Sequence, residues 1–280
     1  MTTWAGVFPA PAKLNLFLHV IGRRKDGYHL LQTAFRFLDY GDELSLRVRA
    51  DGAIRRTTAL EGVPEEQDLS VRAAQLLQRE TGCREGADIG IVKRLPMGGG
   101  LGGGSSDAAT TLIALNRLWR TGLRRDRLQQ LALTLGADVP VFVFGQNAFA
   151  EGVGERLQAL RLPPAWYLIL VPELAVSTAE IFSAAELTRN TNAITIAAFS
   201  VGQGRNDLEP VVCRRYPQVV RHLEWLHRYG DARMTGSGAC VFCAFDSEEQ
   251  ARKVLSELPA DMRGFVARGL ERHPLWSEDD

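Results

Sequence analysis

The sequence predicts an α+β protein in two lobes, and three observations carry that expectation. The first fifty residues alternate apolar and polar side chains in strand fashion. Helical periodicity then recurs over 69–81, 107–119 and 126–135, and after a pair of prolines the chain returns to strands mixed with short helices. The division is expected at Leu162-Pro163-Pro164, giving lobes over 1–162 and 163–280.

From the N-terminus, Ala12, Leu14, Leu16, Leu18 and Val20 fall on one face of a strand, with Lys13, Asn15, Phe17 and His19 on the other. Lys13 and Asn15 therefore point the same way. Arg23 to Gly27 carries an Asp-Gly hairpin signal, and Tyr28 to Phe37 is followed by a further alternating strand through Leu44, Leu46 and Val48. Ile89, Ile91 and Lys93 form the strand that leads into a glycine tract. Ala108, Leu112, Leu115 and Trp119 recur at helical spacing behind it, with Ser105, Ser106 or Asp107 as the expected N-cap, and the helix over 126–135 closes at Gly136. Past the prolines, Trp166 to Val171 reads as a buried strand. Ser177-Thr178-Ala179-Glu180 is a capping box opening a short helix with Phe182, Pro217 begins a helix that stops at Gly230, and Ser247 opens another. Thr235-Gly236-Ser237-Gly238-Ala239 is a second small-residue loop ahead of a strand that ends at Phe245.

With 280 residues, 45% hydrophobic and 24% charged, the chain is an ordinary globular one. Lys plus Arg and Asp plus Glu balance at 33 each, so no global field recruits nucleic acid or an anionic membrane. No apolar run is long enough to span a bilayer, and Met1-Thr2-Thr3-Trp4 lacks the pattern of an export signal, so a cytoplasmic location is expected. Four cysteines are too few for a disulfide scaffold. Cys240 and Cys243 lie three apart on a strand and so on opposite faces, which opposes a metal or redox pair; the five histidines show no metal spacing.

The glycine tract places six glycines in the seven positions Gly98 to Gly104, between Pro96-Met97 and Ser105-Ser106. Such a backbone turns several N–H groups towards one point, and it feeds a helix N-terminus, whose free N–H groups and dipole suit a phosphate. It is neither a Walker loop, which ends in Gly-Lys-Ser/Thr, nor a dinucleotide loop with its ribose acid, nor a protein-kinase loop with its valine. Without its own lysine it must borrow a cation. Phosphoryl transfer to an alcohol also needs a base, and Gly136-Ala137-Asp138-Val139-Pro140 offers Asp138 either as that base or as a helix N-cap. Lys13 is the candidate cation, unless it is simply a solvated lysine on a strand's polar face.

Pro11-Ala12-Lys13-Leu14-Asn15-Leu16, Asp26-Gly27-Tyr28-His29, Leu95 to Asp107, Leu135 to Pro140 and Thr235 to Cys240 together resemble the GHMP kinases in order and spacing. Lys13-Leu14-Asn15 with Asp26-Gly27-Tyr28-His29 is similar to the branch that acts on a cytidyl diphosphate ester of methylerythritol. The resemblance covers about Phe8 to Pro274 and implies a two-lobed kinase, with an N-terminal ATP-binding lobe and a C-terminal substrate lobe of antiparallel sheet and helices.

By that resemblance Lys13 and Asp138 are catalytic. Pro96, Met97, Gly98, Gly99, Gly100, Leu101, Gly102, Gly103, Gly104, Ser105 and Ser106 wrap the ATP phosphates, and Asn15, Tyr28, His29, Thr178 and Phe182 take the substrate. Ser237 helps close over the phosphates. Phe182 is alternatively helix core, and Thr178 part of the cap. Lys93 and Arg94 either lie beside the nucleotide or, the preferred reading, form a solvated strand end, and Asp107 reads as a cap. ATP implies Mg²⁺, for which Ser106 is the protein contact, since no Walker B acid is present. The partner is a small-molecule substrate, not nucleic acid or membrane, and the chain is expected to be a monomer or weak homodimer. The same fold acting on mevalonate or homoserine is the alternative reading.

Overall fold

The computed structural model describes residues 6–200 and 202–276; the Met1 to Trp4 segment considered above for an export signal lies outside them. Its strands are β1 (Gly6–Arg23), β2 (His29–Arg49), β3 (Ile54–Arg56), β4 (Gly86–Val92), β5 (Ala148–Gly152), β6 (Arg156–Ala159), β7 (Trp166–Leu170), β8 (Arg233–Met234), β9 (Val241–Phe245) and β10 (Gly264–Leu270). Its α-helices are α1 (Leu69–Thr81), α2 (Gly103–Leu118), α3 (Arg125–Leu135), α4 (Val139–Phe144), α5 (Thr178–Ser183), α6 (Ile196–Ser200), α7 (Glu209–Arg215), α8 (Pro217–His227) and α9 (Glu248–Ser256). No helix among the described residues is long and apolar enough to cross a membrane.

One sheet runs through both halves in the order β3-β4-β2-β10-β7-β9-β8, with β1 paired to β2 and the β5–β6 hairpin attached to β2. All of these pairings are antiparallel except β3 with β4. The join is narrow: β10 meets β2 only at Gly269↔Leu38 and Leu270↔Phe37, whereas it pairs with β7 from Gly264 to Arg268. The two strands expected over 28–37 and 44–48 are one continuous strand, β2. The strand continues between them, and its pairing with β1 shifts register after Pro11↔Gly41; β1 lies so close there that a Cβ on Gly41 would stand 2.1 Å from the Ala10 carbonyl oxygen.

Two large apolar clusters flank this join. One packs β2 and β4 against α1 to α4 through Phe37, Leu46, Leu77, Leu112 and Phe142; the other packs β7 and β9 against α7 and α8 through Leu168, Val212, Leu226 and Val241. A smaller cluster of Leu14, Leu38, Leu95, Leu101, Ile169 and Cys240 lies between them, directly beneath the glycine tract. Cys240 and Cys243 belong to different clusters, as their spacing predicts.

Candidate active site

β1 and β2 pair with register shifts at Pro11/Lys13 and Asn15/Leu18, and such bulges re-aim side chains. Lys13 and Asn15 both turn inwards and are buried, so Lys13 is not a solvated surface lysine. Lys13 Nζ donates to Asn15 Oδ1 and lies 3.2 Å from Asp138 Oδ2. Asn15 Nδ2 donates to Thr33 Oγ1 at 2.9 Å. Asp138 occupies the N-cap position of α4, with Pro140 in the first turn, but makes no side-chain capping bond. Its carboxylate faces Lys13 instead and remains 40% exposed, open to a ligand.

The glycine tract is bound on both sides to the strands below. Lys13 N donates to Leu101 O at 3.0 Å and Cys240 N to Gly99 O at 3.1 Å, while Thr235 Oγ1 accepts from Asn15 N at 2.9 Å. The two glycine-containing loops meet closely: a Cβ on Gly100 would lie 2.2 Å from the Thr235 carbonyl oxygen, and one on Gly102 3.1 Å from Lys13 Cε. Both residues have positive φ, 79° and 74°, so only glycine fits without strain.

The cap of α2 is not the expected serine or aspartate. The helix begins at Gly103 with Gly102 as N-cap and no side-chain capping bond, so Ser105, Ser106 and Asp107 lie within it. Glycine backbone reaches helical geometry without a polar cap, and the first N–H groups are left for a ligand. Asp107 is not a cap: it is buried, and its Oδ2 accepts from Lys93 Nζ at 2.8 Å. Lys93 is not a solvated strand end either, because its ammonium also donates to Asp42, whose second oxygen accepts from Arg94 N at 2.6 Å and Leu95 N at 2.8 Å. Burial would lower the Lys93 pKa, but Asp107 and Asp42 outweigh it and raise it. Burial raises the Asp107 carboxyl, against the pull of Lys93. Arg94 is the solvated member, paired with Glu43 at 2.8 Å.

A cavity of about 570 Å³ is lined by Lys13, Asn15, Lys93, Pro96 to Ser105, Asp138, Thr178, Phe182 and Ser237. Thr178 Oγ1 and Ser237 Oγ are hydrogen-bonded at 2.7 Å, tying the start of α5 to the second loop, while Ser177 Oγ caps α5 by accepting from Glu180 N. Phe182 packs partly on the C-terminal core and partly on the cavity, with His29 against it at a ring-centroid distance of 5.1 Å. Neither Tyr28, 64% exposed on the hairpin turn, nor His29 is among the lining residues; His29 reaches the cavity wall only through Phe182. Ser106 is fully buried and its hydroxyl has no protein partner, an orphan oxygen in the first turns of α2 that fits a metal contact. No group of three or more His, Cys, Asp or Glu able to hold a metal occurs among the described residues, so such an ion would be held chiefly by phosphate and water. Asp42 and Arg189, absent from the sequence-based site, are the polar hubs on its two sides.

This arrangement sets a carboxylate and a buried ammonium beside a helix start that has no side-chain cap. Residues 68–146 match the family model for the GHMP kinases N terminal domain, and residues 184–264 the model for the GHMP kinases C terminal domain. A 4-diphosphocytidyl-2-C-methyl-D-erythritol kinase of Nitrosospira multiformis is 66% identical over 270 residues, covering 95% of this chain and 92% of its own. One of Thiobacillus denitrificans is 66% identical over 271 residues, covering 96% and 97%. A crystal structure of 4-(cytidine 5'-diphospho)-2C-methyl-D-erythritol kinase superposes with a TM-score of 0.82 at 34% identity, over 94% of this chain and 99% of that one. The mevalonate kinase of Methanococcus jannaschii, at 17% identity and a TM-score of 0.70, shares the fold. The chain belongs to the GHMP kinases, ATP-using small-molecule kinases, and within them to the 4-diphosphocytidyl-2-C-methyl-D-erythritol kinases.

Proposed function

We propose that the chain transfers the γ-phosphoryl group of ATP to the C2 hydroxyl of 4-diphosphocytidyl-2-C-methyl-D-erythritol, giving the 2-phosphate and ADP in the methylerythritol phosphate route to isopentenyl diphosphate. The reading rests above all on the buried Lys13 meeting Asp138 beside an uncapped helix N-terminus. Asp138 takes the hydroxyl proton as the oxygen attacks the γ-phosphorus and the bond to the β,γ-bridging oxygen breaks. Lys13 stabilises the charge that develops between them, held in place by Asn15. Pro96 to Ser106 cradle the triphosphate through backbone N–H groups. Mg²⁺, when bound with ATP, neutralises charge on the β and γ oxygens, and Ser106 Oγ is the protein oxygen assigned to it.

The cytidyl end is assigned to Tyr28, His29 and Phe182, an aromatic pair to face the base and an imidazole to read its edge. Asn15 and Thr178 are assigned to the polar part of the substrate. The division into lobes is placed at Leu162/Pro163, between the two family matches. A cytoplasmic location and a monomeric or weakly dimeric state complete the reading. A competition assay with equal concentrations of the cytidyl ester, mevalonate and homoserine tests it. Label from [γ-³²P]ATP is expected in the cytidyl product, and preference for either other alcohol rejects the assignment.

A further inference from the structure

The segment after α5 has little pattern of its own, yet one guanidinium organises it. Arg189 Nη2 donates to Phe182 O at 3.1 Å and to Ala184 O at 2.6 Å, and Nη1 donates to Leu187 O at 3.1 Å. These bonds satisfy carbonyls where α5 ends, on the turn that carries Phe182. The remaining donor, Arg189 Nε, reaches 3.1 Å to Nε2 of His29, across the chain on the first residue of β2. A guanidinium only donates, so Nε2 must be the lone-pair nitrogen of that ring. The proton of the neutral imidazole then sits on Nδ1, which has no hydrogen-bond partner among the described residues. Burial, then Arg189 and Arg23, lower the His29 pKa, which keeps the ring neutral near pH 7.

We propose that Arg189 is a specificity-positioning residue: by donating to His29 Nε2 it fixes the imidazole as the Nδ1–H tautomer and holds it against Phe182, so that the site reads a cytosine and rejects a uracil. Cytosine presents a lone pair at N3 and accepts from Nδ1–H, whereas uracil carries a proton there and offers donor against donor. Without Arg189 either tautomer forms, and the Nε2–H form leaves an acceptor at Nδ1 that suits uracil. The inference rests on the cytidyl reading above, and it deepens that reading by naming what sets the polarity of the base contact.

The test combines spectroscopy without substrate and kinetics with two substrates. In ¹⁵N-histidine spectra at pH 7.5, with His29 identified by the resonance lost in His29→Gln, the parent is expected to show Nε2 unprotonated; protonated Nε2 overturns the proposal. The parent is expected to prefer the cytidyl ester to its uridyl analogue by about 100-fold in kcat/KM, and Arg189→Ala to reduce that ratio to below about fivefold, with KM for ATP within about twofold. Arg189→Lys, which keeps the charge but not the fork, is expected to behave likewise and guards against an alanine variant that fails to fold. In a His29→Ala background Arg189→Ala is expected to change the ratio no further; additive losses would mean that Arg189 acts only on the loop. An unchanged ratio in both Arg189 variants overturns the proposal alone, whereas a parent that phosphorylates neither ester overturns the cytidyl reading and the specificity claim with it.

Discussion

Lys13 Nζ stands 3.2 Å from Asp138 Oδ2, an ammonium from the middle of a buried strand facing a carboxylate at the start of a six-residue helix. The two are unequally exposed, with Lys13 enclosed and Asp138 open to the cavity. The carboxylate is therefore free to meet a hydroxyl while the ammonium stays fixed behind it. Asp138→Asn is expected to lower kcat by about 10²–10⁴-fold with KM for ATP nearly unchanged. Lys13→Met is expected to cost about 10²–10³-fold. The double variant should fall well short of the product of the two losses, because the residues act as a unit. Steady-state kinetics checks all three, and an Asp138→Asn enzyme as fast as the parent removes the base assignment.

Glycines in the tract are not equivalent, and alanine should separate them. Gly100→Ala forces a Cβ towards the Thr235 carbonyl at a φ of 79°, so a loss of about 1–3 kcal/mol in stability and a raised KM for ATP are expected. Gly104 lies inside α2, and its Cβ would meet only Leu69 Cδ1 at 3.7 Å. Gly104→Ala is expected to stabilise by about 0.5–1 kcal/mol. Denaturant melts of the two variants should move in opposite directions.

Asp42 binds Lys93 with one oxygen and the Arg94 and Leu95 amides with the other, at the entrance to the glycine tract. Asp42→Asn keeps the size and removes the charge from a buried pair, and should cost about 3 kcal/mol by chemical denaturation. Arg94→Ala, which breaks only an exposed contact with Glu43, should stay within about 0.5 kcal/mol of the parent.

Burial drives the His273 pKa down to about 3, with Arg117 adding to the shift, so the folded protein holds this ring neutral. Between about pH 6.5 and 3 the unfolded chain binds a proton here that the folded chain does not, so stability falls as the pH falls through that window. His19 and His29, also lowered by burial first, act with the same sign. The slope from one such group is about 1.4 kcal/mol per pH unit. His273→Gln should flatten the stability curve between pH 6 and 4 by close to that slope, measured by urea melts at each pH.

The parts of the site that lie in local patterns were legible in the sequence. Strand alternation puts Lys13 and Asn15 on one face, and the glycine composition of the tract announces a close-packed backbone turn that feeds a helix start. Asp138 stands where an N-cap is expected, and only the absence of its capping bond separates the two readings. What local pattern misplaced depends on distant partners. Lys93 reads as a solvated strand end until Asp42 and Asp107 close around it, and those acids come from the middle of β2 and the interior of α2. Asp107 reads as a cap because a serine-rich helix start normally supplies one, whereas Gly102 lets the helix begin earlier. The β5–β6 hairpin and β10 gave little signal: short runs such as Ala148-Phe149-Ala150 become strands through pairing with β2, and β10 owes its place to β7 and β2. Arg189 lay in a segment without periodicity, and its role rests on partners in His29 and the end of α5.

A crystal structure with a non-hydrolysable ATP analogue and the cytidyl ester is the most direct measurement of the account. It should find the C2 hydroxyl about 3 Å from an Asp138 carboxylate oxygen, with Lys13 between that oxygen and the γ-phosphate and the triphosphate on the N–H groups at the start of α2. A hydroxyl more than about 6 Å from Asp138, with no water linking them, would contradict it.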